Sequence, residues 1–270
     1  MIANIAQTLS GLFLSKRMRR SGPITLLFIL VAAAGATPDA TDAPVGPDAI
    51  EAVMDLASKA QYEAAVALYE RIREQRPDTI EAIHGHKVAV VYAVIGDRSR
   101  HEAHCRWLMD RYRDAELPTD AERSVKGYLL FPSAEDPALL ARALERTRLA
   151  TDYAVERGEG QYLLWFEGSR GMAEYRSGNY AEAIAYLKKA ADAESLYISS
   201  LALPFQALAE FAQGNRDRAD ALLKQARAAA ARLPAPGTEE YLKEWTDTLT
   251  TQLALREAEK VIAGSQPEAR

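Results

Sequence analysis

The sequence predicts an all-α fold, a solenoid of about five helical hairpins followed by a C-terminal capping helix. Three observations predict it: a stretch of the chain recurs at an offset of 36 residues, small residues occupy the same places in each copy, and no run of alternating strand residues stands out. One helical hairpin cannot bury its own apolar face, so neighbouring hairpins must stack and share a core. We expect this stack to occupy residues 48–232.

The recurring stretch is a turn between two helices. Copies of a glycine–asparagine turn at 178–179 and 214–215 lie 36 residues apart, and Ala60 and Gly96 begin two further copies at the same offset. Small residues follow the first two copies at equivalent places, where they would let paired helices approach. They are Ala183, Ala190, Ala219 and Ala226. A period near 34 residues with small residues at helix contacts is typical of tetratricopeptide repeats, and the chain resembles that family.

The individual helices follow from apolar stripes and helix-breaking residues. In the first hairpin, apolar residues recur at helical spacing from Tyr62 to Ile72, and Pro77 ends the helix because the residue before proline avoids helical dihedrals. After the breaking segment 233–237, Thr238 is a typical N-cap for a last helix over 238–263, which we expect to seal the end of the stack. The hairpins are predicted at about 48–75, 79–113, 119–157, 160–192 and 196–232.

Residues 1–36 have the features of a secretory signal peptide. A basic cluster at 16–20 precedes the apolar run 24–36, which ends in Ala-Gly-Ala and is followed by Thr-Pro-Asp. This run of about 13 residues is shorter than the roughly 20 that a membrane-spanning helix needs. An uncleaved anchor and a true start at Met18 are alternatives. We expect an exported protein, either periplasmic or anchored through residues 24–36 to the inner membrane and facing the periplasm.

Composition limits the partners of the mature chain. The signal segment holds four of the 33 basic residues and none of the 38 acidic ones, so the mature net charge becomes −9 and nucleic acid is not expected as a partner. The single cysteine, Cys105, allows no internal disulfide, although an exported protein could form one. Residues 37–47 are predicted to be a flexible spacer and 264–270 a disordered tail.

A second resemblance concerns the middle of the chain. The segments that carry it are 101–108 (HEAHCRWL), 121–123 (AER), 129–132 (LLFP), 164–166 (LWF) and 171–178 (GMAEYRSG). Together they resemble the helical repeat tail of large bacterial eukaryotic-like serine/threonine protein kinases, over roughly residues 50–230. The resemblance implies a tetratricopeptide-like appendage. The glycine-rich loop, the His-Arg-Asp loop and the Asp-Phe-Gly motif of the kinase domain are missing, so it implies no kinase activity here.

A cluster of histidines around the cysteine offers a chemical alternative. The four histidines lie within 21 positions and Cys105 directly follows the last of them, and His101 and Cys105 share one helix face as zinc ligation would require. A thiol nucleophile with His101 or His104 as its base is a further alternative. The simpler interpretation is a packed thiol, since free cysteine behaves as a small buried hydrophobe. We predict no metal, no cofactor and no catalytic residue.

The binding surface should come from the first helix of each hairpin, because these helices line the concave wall of a solenoid. The register of the turn glycines nominates seven side chains: His86, Val90, Met172, Tyr175, Arg176, Leu208 and Phe211. Three of them, Met172, Leu208 and Phe211, could equally belong to the core. Tyr175 and Arg176 are favoured because tyrosine and arginine are enriched in binding hot spots.

The sequence therefore predicts a non-catalytic scaffold or adaptor of the bacterial cell envelope that holds a peptide or protein on its concave face. The clamp with which some tetratricopeptide domains hold chaperone C-termini is missing, because Ile50, Met54 and Ser58 occupy its positions. Two alternatives stay open: a regulatory tail of a separately encoded kinase, and a metal-binding or cysteine-based enzyme around His101, His104 and Cys105. The oligomeric state is not predicted, since the last helix could dock on its own chain or on another.

Overall fold

The computed structural model describes residue 46 and residues 48–131 and 136–264. The predicted signal peptide, nearly all of the spacer and the tail after Gly264 lie outside these residues. The described residues form α-helices and two 3-10 helices, Pro77–Thr79 and Gly127–Leu130, and contain no strand, so the all-α prediction is confirmed. The α-helices are α1 (Ala49–Ser58), α2 (Tyr62–Gln75), α3 (Ala82–Ile95), α4 (Arg98–Arg111), α5 (Pro118–Lys126), α6 (Pro137–Arg157), α7 (Gly160–Arg176), α8 (Tyr180–Ala191), α9 (Leu196–Ala212), α10 (Arg216–Ala230) and α11 (Glu239–Ala263).

Consecutive helices from α1 to α10 pack as pairs, and a short turn joins the two helices of every pair except α5 and α6. The pairs are α1 with α2, α3 with α4, α5 with α6, α7 with α8, and α9 with α10. Their bounds follow the five hairpins that the sequence predicts. First helices also pack on one another, because α3 contacts α5, α5 contacts α7 and α7 contacts α9. Each pair therefore shares its apolar surface with the next.

Four of these pairs are joined by the same left-handed turn. One or two residues after the end of the first helix, the backbone has a positive φ of 60° at Ala60, 78° at Gly96, 79° at Gly178 and 85° at Gly214. The next N–H then donates to a carbonyl five residues earlier, at 2.9 Å from Asn215 to Glu210, which ends the helix in a Schellman-type turn. Only Ala60 adopts this conformation without being glycine. The 36-residue repeat therefore reflects one turn geometry, and Ala60 follows it at a steric cost.

The asparagine of the repeat has a structural role that the sequence did not reveal. The Asn179 side chain donates to Glu174 at 2.7 Å, and Asn215 donates to Glu210 at 2.8 Å. Both glutamates are almost fully buried, at 1% exposure each. Because buried polar groups need hydrogen-bond partners, each asparagine satisfies a carboxylate of the preceding helix.

Small residues stand where paired helices touch, as the sequence predicts. The four alanines after the turns, at 183, 190, 219 and 226, are at most 1% exposed. Opposite them, a Cβ at Gly171 of α7 would overlap Leu187 of α8. Neither helix could approach as closely with a larger side chain at this crossing.

The last helix, α11, lies differently from an end cap. It packs on α9 and α10 of the fifth pair, but also on α1, α3 and the 3-10 helix Gly127–Leu130. Buried residues occur all along it and on more than one side: Tyr241, Trp245, Leu249, Ala254, Ala258 and Ile262. An end cap would bury one side only, whereas this helix is enclosed between the first and the last pairs. No helix among the described residues is long and apolar enough to cross a bilayer.

Candidate functional site

The seven side chains nominated for partner binding are all buried or half-buried, and Arg176 contacts α11 directly. Four of them are buried, at no more than 5% exposure: His86, Val90, Met172 and Leu208. Val90, Met172 and Leu208 belong to the hydrophobic core, which supports the core interpretation of Met172 and Leu208. Tyr175 and Phe211 are half-buried and pack against the same core. We call the surface of α1, α3, α7 and α9 that faces α11 the α11 interface.

Arg176 is the centre of this interface. Its guanidinium donates to both carboxylate oxygens of Glu257 on α11, at 2.5 and 2.6 Å, and its Nε donates to the Leu129 carbonyl at 2.9 Å. The arginine stacks on the Tyr175 and Phe205 rings, 5.3 and 5.2 Å from their centroids. The Arg176 and Glu257 side chains are only 3% and 6% exposed. A bidentate, desolvated pair of this kind fixes the helix that carries the carboxylate.

Further polar contacts join α11 to the rest of the protein. Ser200 of α9 and Thr251 form a buried hydrogen bond of 3.2 Å between their hydroxyl groups. Arg227 of α10 pairs with Glu259 at 2.7 Å, and that pair is exposed. Near the start of α11, the Lys87 ammonium lies 6.0 Å from the Trp245 ring centroid. The helix is thus held by specific partners on the second, fourth and fifth pairs.

The histidine–cysteine cluster is buried and neutral. His101 Nε2 donates to the Gly127 carbonyl at 3.0 Å and His104 Nε2 to the Gly85 carbonyl at 2.8 Å. Burial lowers the pKa of His101 to about 4 and that of His104 to about 3, and it raises the pKa of the Cys105 thiol. Neither ring is charged at neutral pH, and the thiol stays protonated.

These properties fit the packed-thiol interpretation. The hydrogen bonds to carbonyls fix both rings within the core, and a thiol with a raised pKa is a poor nucleophile. The part of the chain that the structure describes contains no group of three or more His, Cys, Asp or Glu side chains arranged to hold a metal ion. His84 has a different role, since its Nδ1 accepts the Glu81 N–H at the start of α3.

A cavity of about 250 Å³ opens where α3, α5, α7 and α11 meet. Aromatic side chains of α7 line one part of it, and charged side chains of α5 and α11 line another. The polar and aromatic residues that matter below are His86, Glu122, Arg123, Lys126, Trp165 and Asp247. Of the seven nominated side chains, His86 alone lines this cavity.

A buried ion pair forms part of the cavity wall. Lys126 Nζ lies 3.4 Å from Glu122 Oε1, and both side chains are 6% exposed. The ammonium also lies 4.7 Å from the Trp165 ring centroid, and the Ser169 hydroxyl donates to Glu122. Aromatic and hydroxyl contacts compensate part of the desolvation of the two charges.

Three other polar side chains of the wall lack a partner among the described residues. His86 Nδ1 is buried without a hydrogen bond, and neither Arg123 nor Asp247 forms an ion pair. Burial, assisted by Lys126 and Arg123, lowers the pKa of His86, so its ring is neutral. Burial likewise raises the pKa of Asp247, against the opposing effect of Lys126.

Sequence reasoning missed the charged groups of this cavity. Glu122 and Lys126 have the i,i+4 spacing of an exposed helix pair, and Asp247 stands on the helix expected to be a cap. Only the position of α11 encloses them.

No family model, curated protein or solved structure matches the chain.

Proposed function

We propose that residues 48–263 form a tetratricopeptide-like solenoid that acts as a non-catalytic scaffold, and that its concave wall binds an amphipathic helix. The first helices of solenoid hairpins line such a wall, and α11 packs on the first helices of pairs one, two and five. Helix-in-groove binding is a common mode of peptide recognition. In this proposal α11 occupies the groove, and a helix of a partner protein binds by taking its place.

The observation that carries the proposal is the Arg176–Glu257 pair. Arginine beside aromatic rings in a desolvated setting is the composition of a binding hot spot. A partner helix must therefore offer a carboxylate to Arg176 and an apolar stripe comparable to that of Trp245 and Leu249. The N-terminal features of the sequence support the further proposal that this function is carried out in the cell envelope, in the periplasm or at the outer face of the inner membrane.

A crosslinking pull-down from the native cell envelope tests the proposal. We expect one protein to be recovered with the wild type, more of it with Glu257→Ala, which releases α11 from Arg176, and none with Tyr175→Ala plus Arg176→Ala. Glu259→Ala is the matched control, because it removes an exposed carboxylate of the same helix. A synthetic peptide of residues 239–263 should compete with the recovered protein.

Two outcomes contradict the proposal. One is recovery of the same proteins by the wild type and by the Tyr175→Ala plus Arg176→Ala variant. The other is recovery that the 239–263 peptide does not reduce, since it means that the partner binds elsewhere. Circular dichroism of each variant checks that its helices remain folded.

A further inference from the structure

The cavity between α3, α5, α7 and α11 has the composition of a small-ligand site. His86, 5% exposed, carries a buried nitrogen with no hydrogen bond, and the Arg123 and Asp247 side chains line the same space without an ion-pair partner among the described residues. Buried polar groups in proteins are nearly always satisfied by protein, water or ligand. The buried His86 nitrogen and the two half-buried charged side chains, which reach the same cavity, point to a ligand that contacts all three.

The charges around the cavity indicate which ligand fits. Glu122 and Lys126 form an ion pair, and Lys126 and Lys87 act on Asp247 only from beyond ion-pair distance. The guanidinium of Arg123 and the carboxylate of Asp247 are therefore left without a salt bridge at the cavity. The helices that carry them, α5 and α11, both pack against α3. A purely anionic ligand would leave Asp247 without a partner, and a purely cationic one would leave Arg123 without a partner. A ligand that carries one charge of each sign satisfies both.

The remaining surface and the volume limit the rest of the ligand. Trp165 and Phe166 of α7 supply an aromatic wall, and Lys126 covers only the face of the Trp165 ring. The volume of about 250 Å³ lies just below the roughly 300–1,000 Å³ of pockets for drug-sized molecules. A short apolar group beside the two charges fills such a space.

We propose that this cavity binds one free α-amino acid with an apolar side chain. The ligand carboxylate pairs with Arg123, its ammonium group pairs with Asp247, and its side chain packs against Trp165 and Phe166. His86 supplies a neutral hydrogen-bonding group to the polar end. Because Asp247 belongs to α11, the site is complete only while α11 occupies the groove proposed for a partner helix.

Isothermal titration of the full chain with L-phenylalanine tests the site. Two matched ligands complete the experiment: 3-phenylpropionate, which lacks the ammonium group, and 2-phenylethylamine, which lacks the carboxylate. We expect one site for L-phenylalanine and affinities lower by about tenfold or more for each analogue, because each loses a charge-assisted hydrogen bond. Equal affinity of either analogue overturns the proposal, and so does the failure of both L-phenylalanine and L-leucine to bind at millimolar concentration.

Two variants assign the charges. Asp247→Asn should lower the affinity for L-phenylalanine by about tenfold and leave the affinity for 3-phenylpropionate unchanged. Arg123→Gln should lower the affinity for L-phenylalanine and leave the affinity for 2-phenylethylamine unchanged. The control is Asp220→Asn, at an exposed carboxylate of α10, which should change nothing. Binding that survives both cavity variants without loss overturns the assignment. Both replaced side chains lack ion-pair partners, so the fold should persist, and circular dichroism checks it.

Discussion

The two halves of α11 meet the rest of the protein in different ways. In the C-terminal half, Glu257 pairs with Arg176 and Thr251 hydrogen-bonds to Ser200. In the N-terminal half, the Asp247 carboxylate has no ion pair among the described residues and the Thr248 hydroxyl is buried without a partner. The difference teaches that paired polar groups fix the C-terminal half, whereas the N-terminal half is held by apolar and aromatic packing beside a space that still has polar groups to satisfy.

The largest expected effect is the loss of the buried ion pair in the C-terminal half. Arg176→Met leaves the Glu257 carboxylate buried and unpaired, which should lower the free energy of unfolding by about 3–5 kcal/mol. The double variant Arg176→Met with Glu257→Leu should recover most of this loss, because it removes both charges. Urea unfolding followed by circular dichroism measures both values.

An exposed pair on the same helix provides the control for that experiment. Arg227→Met removes the partner of Glu259, whose pair is 53% and 39% exposed, and should cost less than about 1 kcal/mol. Equal losses for Arg176→Met and Arg227→Met would mean that Arg176 does not anchor α11 in solution.

A smaller effect, of opposite sign, is expected in the N-terminal half. Burial raises the pKa of Asp247 in the folded state, so ionisation of this side chain disfavours folding as the pH rises. Asp247→Asn should therefore be more stable than the wild type at pH 7. The difference should disappear below about pH 4, where the carboxyl group is protonated in both folded and unfolded chains. Thermal unfolding of both proteins across this pH range measures the difference.

The sign of the stability difference between the wild type and Asp247→Asn decides this prediction. A wild type that is more stable than Asp247→Asn at pH 7 would show that this carboxylate has a favourable partner within the protein. The exposed Asp220→Asn variant should show no difference at either pH.

The smallest expected effect compares two threonines three positions apart. Thr251→Val removes a hydrogen bond to Ser200 and should lower the free energy of unfolding by about 1 kcal/mol. Thr248→Val removes a buried hydroxyl that has no partner, so it should be neutral or stabilising by a similar amount. Chemical unfolding of the two variants measures the difference. Equal destabilisation by both would remove the distinction between the halves.

Local sequence signals predicted the helices well and the position of α11 poorly. The turn glycines and the alanines at the crossings are short-range features, and they identify the ten helices of the pairs. The position of α11 depends on surfaces formed by α1, α3 and α9, which are far away in the sequence. A stripe with Trp245 and Leu249 fits a cap, a groove or another chain equally well.

The same reasoning explains which site residues were found. Arg176 was nominated for its residue type and its register, and it does lie in a desolvated interface, although its partner there is Glu257. Nothing in the local sequence identifies Asp247, Arg123 or Glu122 as site residues, because a charged residue on an amphipathic helix normally faces solvent. The burial of Glu122 and the half-burial of Arg123 and Asp247 follow from the packing of four helices around one cavity.

A distance across the protein tests the position of α11 most directly. Nitroxide labels at Glu63→Cys on α2 and Leu242→Cys on α11 occupy exposed positions, and the native Cys105 is buried and should stay unlabelled. Tyr62 and Tyr241, the residues beside them, have side chains close enough to interact, so pulsed electron spin resonance should give one short, narrow distance. A helix that only capped the fifth pair would give a broad distribution near roughly 40 Å, the width of a straight stack of first helices, and that result would contradict the account.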